Sequence, residues 1–351
     1  MVKQSKPETK GKRDAFRIAE GALWALLTLL TAMVCISVGS VSIPLEEVWH
    51  AVFGMPGSRA SWESIIHWTR LPRVLCAGVM GAALSLSGAA MQGLLRNPLA
   101  DGSTLGISSG AALGAALSIV LGISIPGMAS AGPAAMAMVF AFGSLMLILA
   151  LAYSMDRSLA THSIIMIGVI FTMMASGLLS LLITFSGEKP KTITYWTMGS
   201  LNGKTYEQLN MMTAALVVCG ALLLTRGREL NAFAVGEENA AHIGVPVRRV
   251  KLQIMIASSV LIGVCVSVGG SIAFVGLIVS HMIRLWSGPN HRRLLPRAMF
   301  AGAIFLMLAD LGARTVLRPT ELPVGVVTSM IGAIVFIGIF VRSRKGGKSL
   351  W

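Results

Sequence analysis

The chain has 351 residues, 54% of them hydrophobic and 13% charged, with a mean hydropathy of +0.75. A water-soluble domain of that make-up would lack the polar surface to cover itself, so the chain is an integral membrane protein. A net charge of +14 would suit nucleic acid, but nucleic-acid binders gather Lys and Arg on one soluble face beside aromatic residues; here the basic residues fall in short clusters between apolar runs.

Those runs reach the roughly 20 residues needed to cross a hydrocarbon core of about 30 Å. They are continuously apolar rather than alternating, which predicts helices and not barrel strands. In chain order the spans are expected near 18–40, 70–94, 104–122, 132–153, 163–185, 207–225, 251–270, 272–287, 298–316 and 323–341. The first follows a basic segment that imitates a signal peptide. Its apolar run exceeds a typical signal core and lacks a small-residue cleavage site, so it is expected to stay as a span. Gly269-Gly270 barely separates the seventh and eighth spans, and residues around Trp196–Asn202 are a candidate half-helix before the sixth. The organisation is therefore a basic N-terminal tail (1–17), a transmembrane domain (18–341) interrupted by a long polar segment (226–250), and a basic C-terminal tail (342–351).

With ten crossings, 21 of the 29 Lys and Arg fall in segments on one side of the membrane. The other eight are Arg59, Arg70, Arg73, Lys189, Lys191, Lys204, Arg314 and Arg318. The positive-inside rule then makes both termini cytoplasmic. The second to fifth and seventh to tenth spans begin on opposite faces, the arrangement of an inverted repeat. Small-residue runs at Ser87-Gly88-Ala89 and Val268-Gly269-Gly270-Ser271 occupy comparable places, but ordinary Gly-rich packing accounts for them equally well. Gly106, Gly110 and Gly114 permit close helix approach.

Chemistry-bearing patterns are few. Cys35, Cys76, Cys219 and Cys265 lie singly in apolar runs and read as small core residues. No histidine stands in HExxH spacing or near a Cys pair, so no metal site is expected. The 21 methionines are scattered through the spans as flexible filler. Gly199 to Thr205 imitates a phosphate loop, but Met198 stands where the first Gly belongs and no strand precedes it. Gly346-Gly-Lys-Ser349 also lacks the first Gly. No catalytic residue is expected, and any nucleotide hydrolysis must come from another chain. Asp310 is the carboxylate placed well inside a span; it reads as a polar contact to a neighbouring helix or as a relay residue of an ion-coupled carrier.

Within 226–251, residues 233–249 read as a short helix ended by Gly244, with Val245-Pro246 opening another. Val235, Ala240, Ile243 and Val245 suit either a small docking knob or packing back onto the spans. Arg96-Asn97-Pro98-Leu99 ends a helix and turns the chain, because Pro98 cannot donate a hydrogen bond and holds Asn97 out of the helical region. Arg70 and Arg73, one turn apart at a helix entrance, would snorkel to headgroups.

The motifs RLPR (70–73), SG (87–88), QGLLRNPLAD (92–101), LGISSGA (105–111), GEENAAHIGV (236–245) and ELPVGV (321–326) resemble those of FecCD-type permeases. These are the membrane subunits of type II ABC importers for iron-siderophores, haem and cobalamin, and the resemblance runs from about Trp68 to the end of the tenth span. It implies an all-α protein of about ten transmembrane helices per protomer in the cell membrane, paired with a second permease copy or close paralogue. Two ATP-binding subunits would hold the ATP and Mg, and an extracytoplasmic binding protein would deliver cargo, an iron-siderophore first and haem or cobalamin next. It further implies that Gly236, Glu237, Ala241 and Gly244 belong to the ATPase-coupling loop, and that Asn97 and Leu99 form one cytoplasmic constriction with Thr161 and His162 as the other. His162 departs from the small hydroxyl residue more usual at its site. Arg70, Arg73 and Arg314 would receive carboxylates of the binding protein.

Overall fold

The computed structural model describes residues 7–39, 43–55, 60–102, 105–124, 131–157 and 159–346. Arg59 and both tail extremities, 1–6 and 347–351, lie outside the described residues. The described residues form helices and turns, with no strand among them. In chain order the helices are α1 (Pro7–Ser37), α2 (Leu45–Phe53), α3 (Ala60–Ile65), α4 (Leu71–Leu95), α5 (Ile107–Leu121), α6 (Ala131–Met155), α7 (Thr161–Thr184), α8 (Pro190–Met198), α9 (Tyr206–Ala215), α10 (Ala221–Thr225), α11 (Gly227–Phe233), α12 (Glu237–His242), α13 (Val247–Gly269), α14 (Val275–Ser287), α15 (His291–Thr315) and α16 (Val324–Gly346). Single π-helical turns, Ile66–Arg70 and Leu216–Gly220, join α3 to α4 and α9 to α10.

Seven helical rods are long and apolar enough to cross a membrane: α1, α3–α4, α6, α7, α9–α10, α13 and α15. α5, α14 and the Val324–Gly338 part of α16 are apolar but shorter. A helix stands at each of the ten expected places. The half-helix near 196–202 is instead α8, which ends at Met198. The helix α2 was not expected. It has two glutamates in its first turn, where the helix dipole favours negative charge, and buries Val48 and Ala51.

α4 and α13 are buried nearly all round, whereas α1, α6, α7 and α9–α10 turn much of their surface outward. The interior is densely packed because the central helices carry small residues at their crossings. A methyl group on Gly81 would run into the Gly302 carbonyl, and one on Gly302 would strike the Ser85 side chain. α4 and α15 therefore touch backbone to backbone. Gly110 and Gly114 do the same for α5 against Phe140 and Met136 of α6. The two small-residue runs offered as signs of a repeat do different work: Gly88 sits mid-helix against Gly276 of α14, while Gly270 ends α13.

Contacts sort the chain between two ends of the bundle. At one end, here the base, Arg297 pairs with Glu20, Trp286 meets Trp24 edge-on, Arg248 lies over the Tyr153 ring, and α11 bonds to the start of α15. Arg248, Trp286, His291 and Arg297 come from two of the segments predicted to share one membrane side, 226–251 and 284–297. α2, α3 and the first turns of α4 and α9 mark the opposite end, the crown, where Tyr206 donates to the His67 carbonyl.

The crown holds a buried ionic cluster. Arg73 grips Asp310 through Nε and Nη2, at 3.0 and 2.9 Å, and reaches Glu321 through Nη1 at 2.9 Å. Arg314 approaches the other Asp310 oxygen at 3.3 Å and donates to the Cys35 carbonyl. Arg70 donates to the carbonyls of Ile36 and Ser37 at 2.7 and 2.9 Å. With 4, 6 and 7% of their surface exposed, Arg70, Arg73 and Arg314 are interior residues that tie α1, α4 and α15 together. In this conformation they do not stand out as free charges for an acidic partner, because a guanidinium in a low-dielectric bundle must be neutralised where it lies. Asp310 is the polar contact between helices that its sequence position suggested.

Gly302→Leu should split the α4–α15 crossing and abolish the monodisperse peak of detergent-solubilised protein in size exclusion. Gly143→Ala, with open space around its site, should leave it unchanged. Asp310→Ala leaves Arg73 with Glu321 alone and Arg314 with no carboxylate, and should cost about 3–5 kcal/mol, seen as a large drop in thermal midpoint. Arg73→Glu would set an anion against Asp310 and Glu321, and should prevent folding with or without any partner present.

Candidate coupling and gating site

At the base, residues 226–250 are held at their start and turned outward at their tip. α11 buries Leu230 and Phe233 completely. Asn231 fixes it laterally: its Oδ1 accepts from the His291 backbone N–H at 2.8 Å and its Nδ2 donates to Asn290 Oδ1 at 3.0 Å. The chain then turns at Gly236, whose φ is +123°, and α12 follows. α12 buries Ala240 beneath it, while Val235 and Ile243 stand 72 and 73% exposed on either side of it. The four apolar residues of this segment thus divide, with Ala240 and the half-buried Val245 packing inward and Val235 and Ile243 facing out. Gly244 takes a φ of +89°, a conformation that side chains rarely adopt, and nothing crowds the place where a Cβ would sit. Ala241 and Gly244 are exposed; Gly236 and Glu237 are half-buried.

Glu237 opens α12 and uses both carboxylate oxygens. Oε1 accepts from the Thr161 hydroxyl and Oε2 from the Lys251 ammonium, each at 2.7 Å. Lys251, in the first turns of α13, has no exposed surface and also donates to the Leu159 carbonyl at 2.8 Å. Leu159 has a φ of +55° with its side chain buried. The short connection from α6 to α7 is therefore held at Leu159 and Thr161 by the same carboxylate–ammonium pair. His162, the next residue, is exposed.

The other predicted constriction lies at the end of α4. Arg96 closes that helix in a left-handed conformation with φ +49°, its N–H on the Gln92 carbonyl. Asn97 Oδ1 accepts from the Leu99 N–H at 2.9 Å and so forms the turn expected around Pro98. Leu99 is 46% exposed. A methyl on Gly236 would lie 3.7 Å from Arg96 Nη1, so the Arg96 side chain borders the start of α12. The geometry thus brings Gly236 and Glu237 beside both predicted gate segments. Arg70, Arg73 and Arg314 are at the far end of the bundle.

Sequence reasoning missed Lys251 and Leu159. Lys251 falls among the basic residues expected on one membrane side, and only its position five residues after Pro246, at the start of an apolar helix, hints at burial. Nothing in the sequence marks Leu159. In the phosphate-loop lookalike, Lys204 donates to the Val268 carbonyl at 2.7 Å, capping the end of α13, and burial pushes its pKa below the usual lysine range. Among the described residues no three His, Cys, Asp or Glu side chains are grouped to hold a metal.

The model of the FecCD transport family matches residues 27–342. An uncharacterised ABC transporter permease protein of Bacillus subtilis, YvrB, is 40% identical over 90% of this chain and 91% of its own. The hemin transport system permease HmuU of Yersinia pestis is 36% identical over 94% of this chain and 97% of its own. The vitamin B12 import system permease BtuC of Klebsiella pneumoniae is 37% identical over 92 and 93%. A solved structure assigned as a metal-chelate type ABC transporter in an inward-facing conformation superposes with a TM-score of 0.81 at 31% identity, covering 93% of this chain and 99% of its own. The chain belongs to the FecCD transport family and is a permease subunit of a type II ABC importer.

Proposed function

We propose that this permease passes a bulky metal chelate, an iron-siderophore in the first instance, inward across the cell membrane as one of two ten-helix protomers. The second protomer is another copy or a close paralogue. The base and both termini face the cytoplasm, where two ATP-binding subunits dock on residues 226–250 and supply ATP and Mg. An extracytoplasmic binding protein delivers cargo at the crown. The observation that carries this reading is the tip of that loop: Val235 and Ile243 are exposed on either side of α12, next to the anchored α11, which offers a partner an apolar grip.

Cargo of this class is supported by what the relatives are named for, hemin and vitamin B12, and by the metal-chelate transporter that shares the fold. Haem and cobalamin are the alternatives. α7 presents Met166, Ile170, Met173, Met174, Leu178 and Leu181 outward at helical spacing, an adaptable apolar surface for a second protomer and a large ligand to share. An ion-coupled carrier is the competing class. It would need an ionisable group free to exchange protons within the spans, and Asp310 is committed to Arg73 and Arg314.

Proteoliposomes holding the permease, its ATPase and its binding protein should accumulate ferric siderophore only with ATP on the ATPase side, and an uncoupler should leave uptake intact. Uptake that collapses with the uncoupler while ATP persists would reject the proposal. Gly244→Val forces a β-branched residue into a left-handed turn at a cost of about 1–3 kcal/mol; it should weaken ATPase co-purification several-fold while binding-protein association persists.

A further inference from the structure

We propose that Lys251 is the positioning residue that transmits movement of α12 to the entrance of α7, holding Glu237 and the 159–161 connection as one hydrogen-bonded unit. The inference rests on the reading of residues 226–250 as the ATPase-docking loop.

Three observations carry it. Lysine is rarely buried without a compelling partner, yet Lys251 is fully buried and divides its donors between a carboxylate on α12 and a backbone carbonyl before α7. Glu237 in turn divides its two oxygens between that lysine and Thr161. The carbonyl that Lys251 holds belongs to Leu159, a non-glycine residue at φ +55°, and strained backbone of this kind persists where its surroundings impose it.

The attachments of the loop are unequal in a way that gives the unit something to transmit. α11 is locked to the start of α15 by Asn231 and by fully buried Phe233. α12 is joined to α11 through Ala234, Val235 and Gly236, the last at φ +123°. Beyond Gly236 its polar ties to the bundle run through Glu237. A push on exposed Val235 and Ile243 therefore pivots α12 about a held α11 and is delivered at Glu237. Charge-assisted hydrogen bonds of 2.7 Å are short and directional, so Thr161 and Leu159 follow Glu237 or the bonds break.

The two partners predict different failures. Lys251→Met removes a charge from the interior and leaves Glu237, which is half-exposed, free to turn to water. Glu237→Gln instead strands a buried ammonium. The test uses the complete complex of permease, ATPase and binding protein in proteoliposomes, reading ATPase co-purification, hydrolysis rate and ferric siderophore transported per ATP. Lys251→Met should keep the ATPase bound and hydrolysing while transport per ATP falls about tenfold. Lys251→Arg, which keeps the charge, should recover part of that ratio. Combining Lys251→Met with Glu237→Gln should lower the ratio no further than Lys251→Met alone, since the unit is already broken. Thr161→Val, a near-isosteric loss of one hydroxyl, should lower the ratio about threefold without unfolding the protein, and it decides the matter should Lys251→Met fail to fold. A merely structural pair would reduce yield and thermal midpoint but leave surviving complexes with wild-type transport per ATP; that result, or an unchanged ratio in Thr161→Val, overturns the proposal. Val235→Ser with Ile243→Ser serves as the separate control. If the ATPase still co-purifies with that variant, the docking reading fails, whatever Lys251→Met shows.

Discussion

A charge drawn into this bundle must be met by carboxylate or carbonyl oxygens from another part of the chain, and that requirement organises both ends of the molecule. Removing an ion from water costs several kcal/mol even after the protein relaxes. A helix that carries a buried Arg or Lys is stable only where its partner element also lies. Arg73 of α4 and Asp310 of α15 are 237 positions apart, so their pairing is a long-range constraint on the fold as well as a local contact. It acts together with the Gly81–Gly302 crossing. The glycines permit the two helices to touch, and the ion pair sets where along their length they do so.

The same requirement produces different mechanics at the two ends. At the crown, Arg70, Arg73 and Arg314 are matched by carbonyls and carboxylates on α1, α15 and the turn before α16. These are long helices or the short connections between them, and the cluster behaves as part of the interior. At the base, the anion that satisfies Lys251 is carried by α12, a helix of six residues outside the long rods. Few buried contacts hold such a helix, and it belongs to the low-stability end of the structure. The buried Lys251 of the base is thus neutralised by a short helix outside the long rods.

Much of the architecture was legible in the sequence because it depends on local pattern. The ten apolar stretches, the left-handed Gly244 after the short helix and the turn at Asn97-Pro98 follow from residues near one another, and the structure has each of them. The site was legible in pieces only. Glu237 and Thr161 were both named, from resemblance, but as members of different groups, and nothing local says that they touch. Arg70 and Arg73 read as a surface pair because their helix entrance is at the edge of an apolar run; Asp310 and Glu321, which draw Arg73 inward, come much later in the chain. Their burial is a tertiary fact. Lys251 was hidden for the converse reason: a basic residue near a span end already has a sufficient explanation in membrane topology, and that explanation masks a second role.

The choice of lysine at position 251 is itself informative. Arginine would offer a rigid planar fork whose donors point in fixed directions, as those of Arg73 do toward Asp310 and Glu321. An ammonium is a compact charge with three donors on a flexible stem, and it can keep two differently placed acceptors while their separation changes. The crown has the fork and the base has the swivel. A static joint between packed helices gains from fixed geometry, whereas the joint proposed here between α12 and the entrance of α7 would have to stay neutralised through the movement it conveys. The side-chain chemistry at each end suits the work that end is proposed to do.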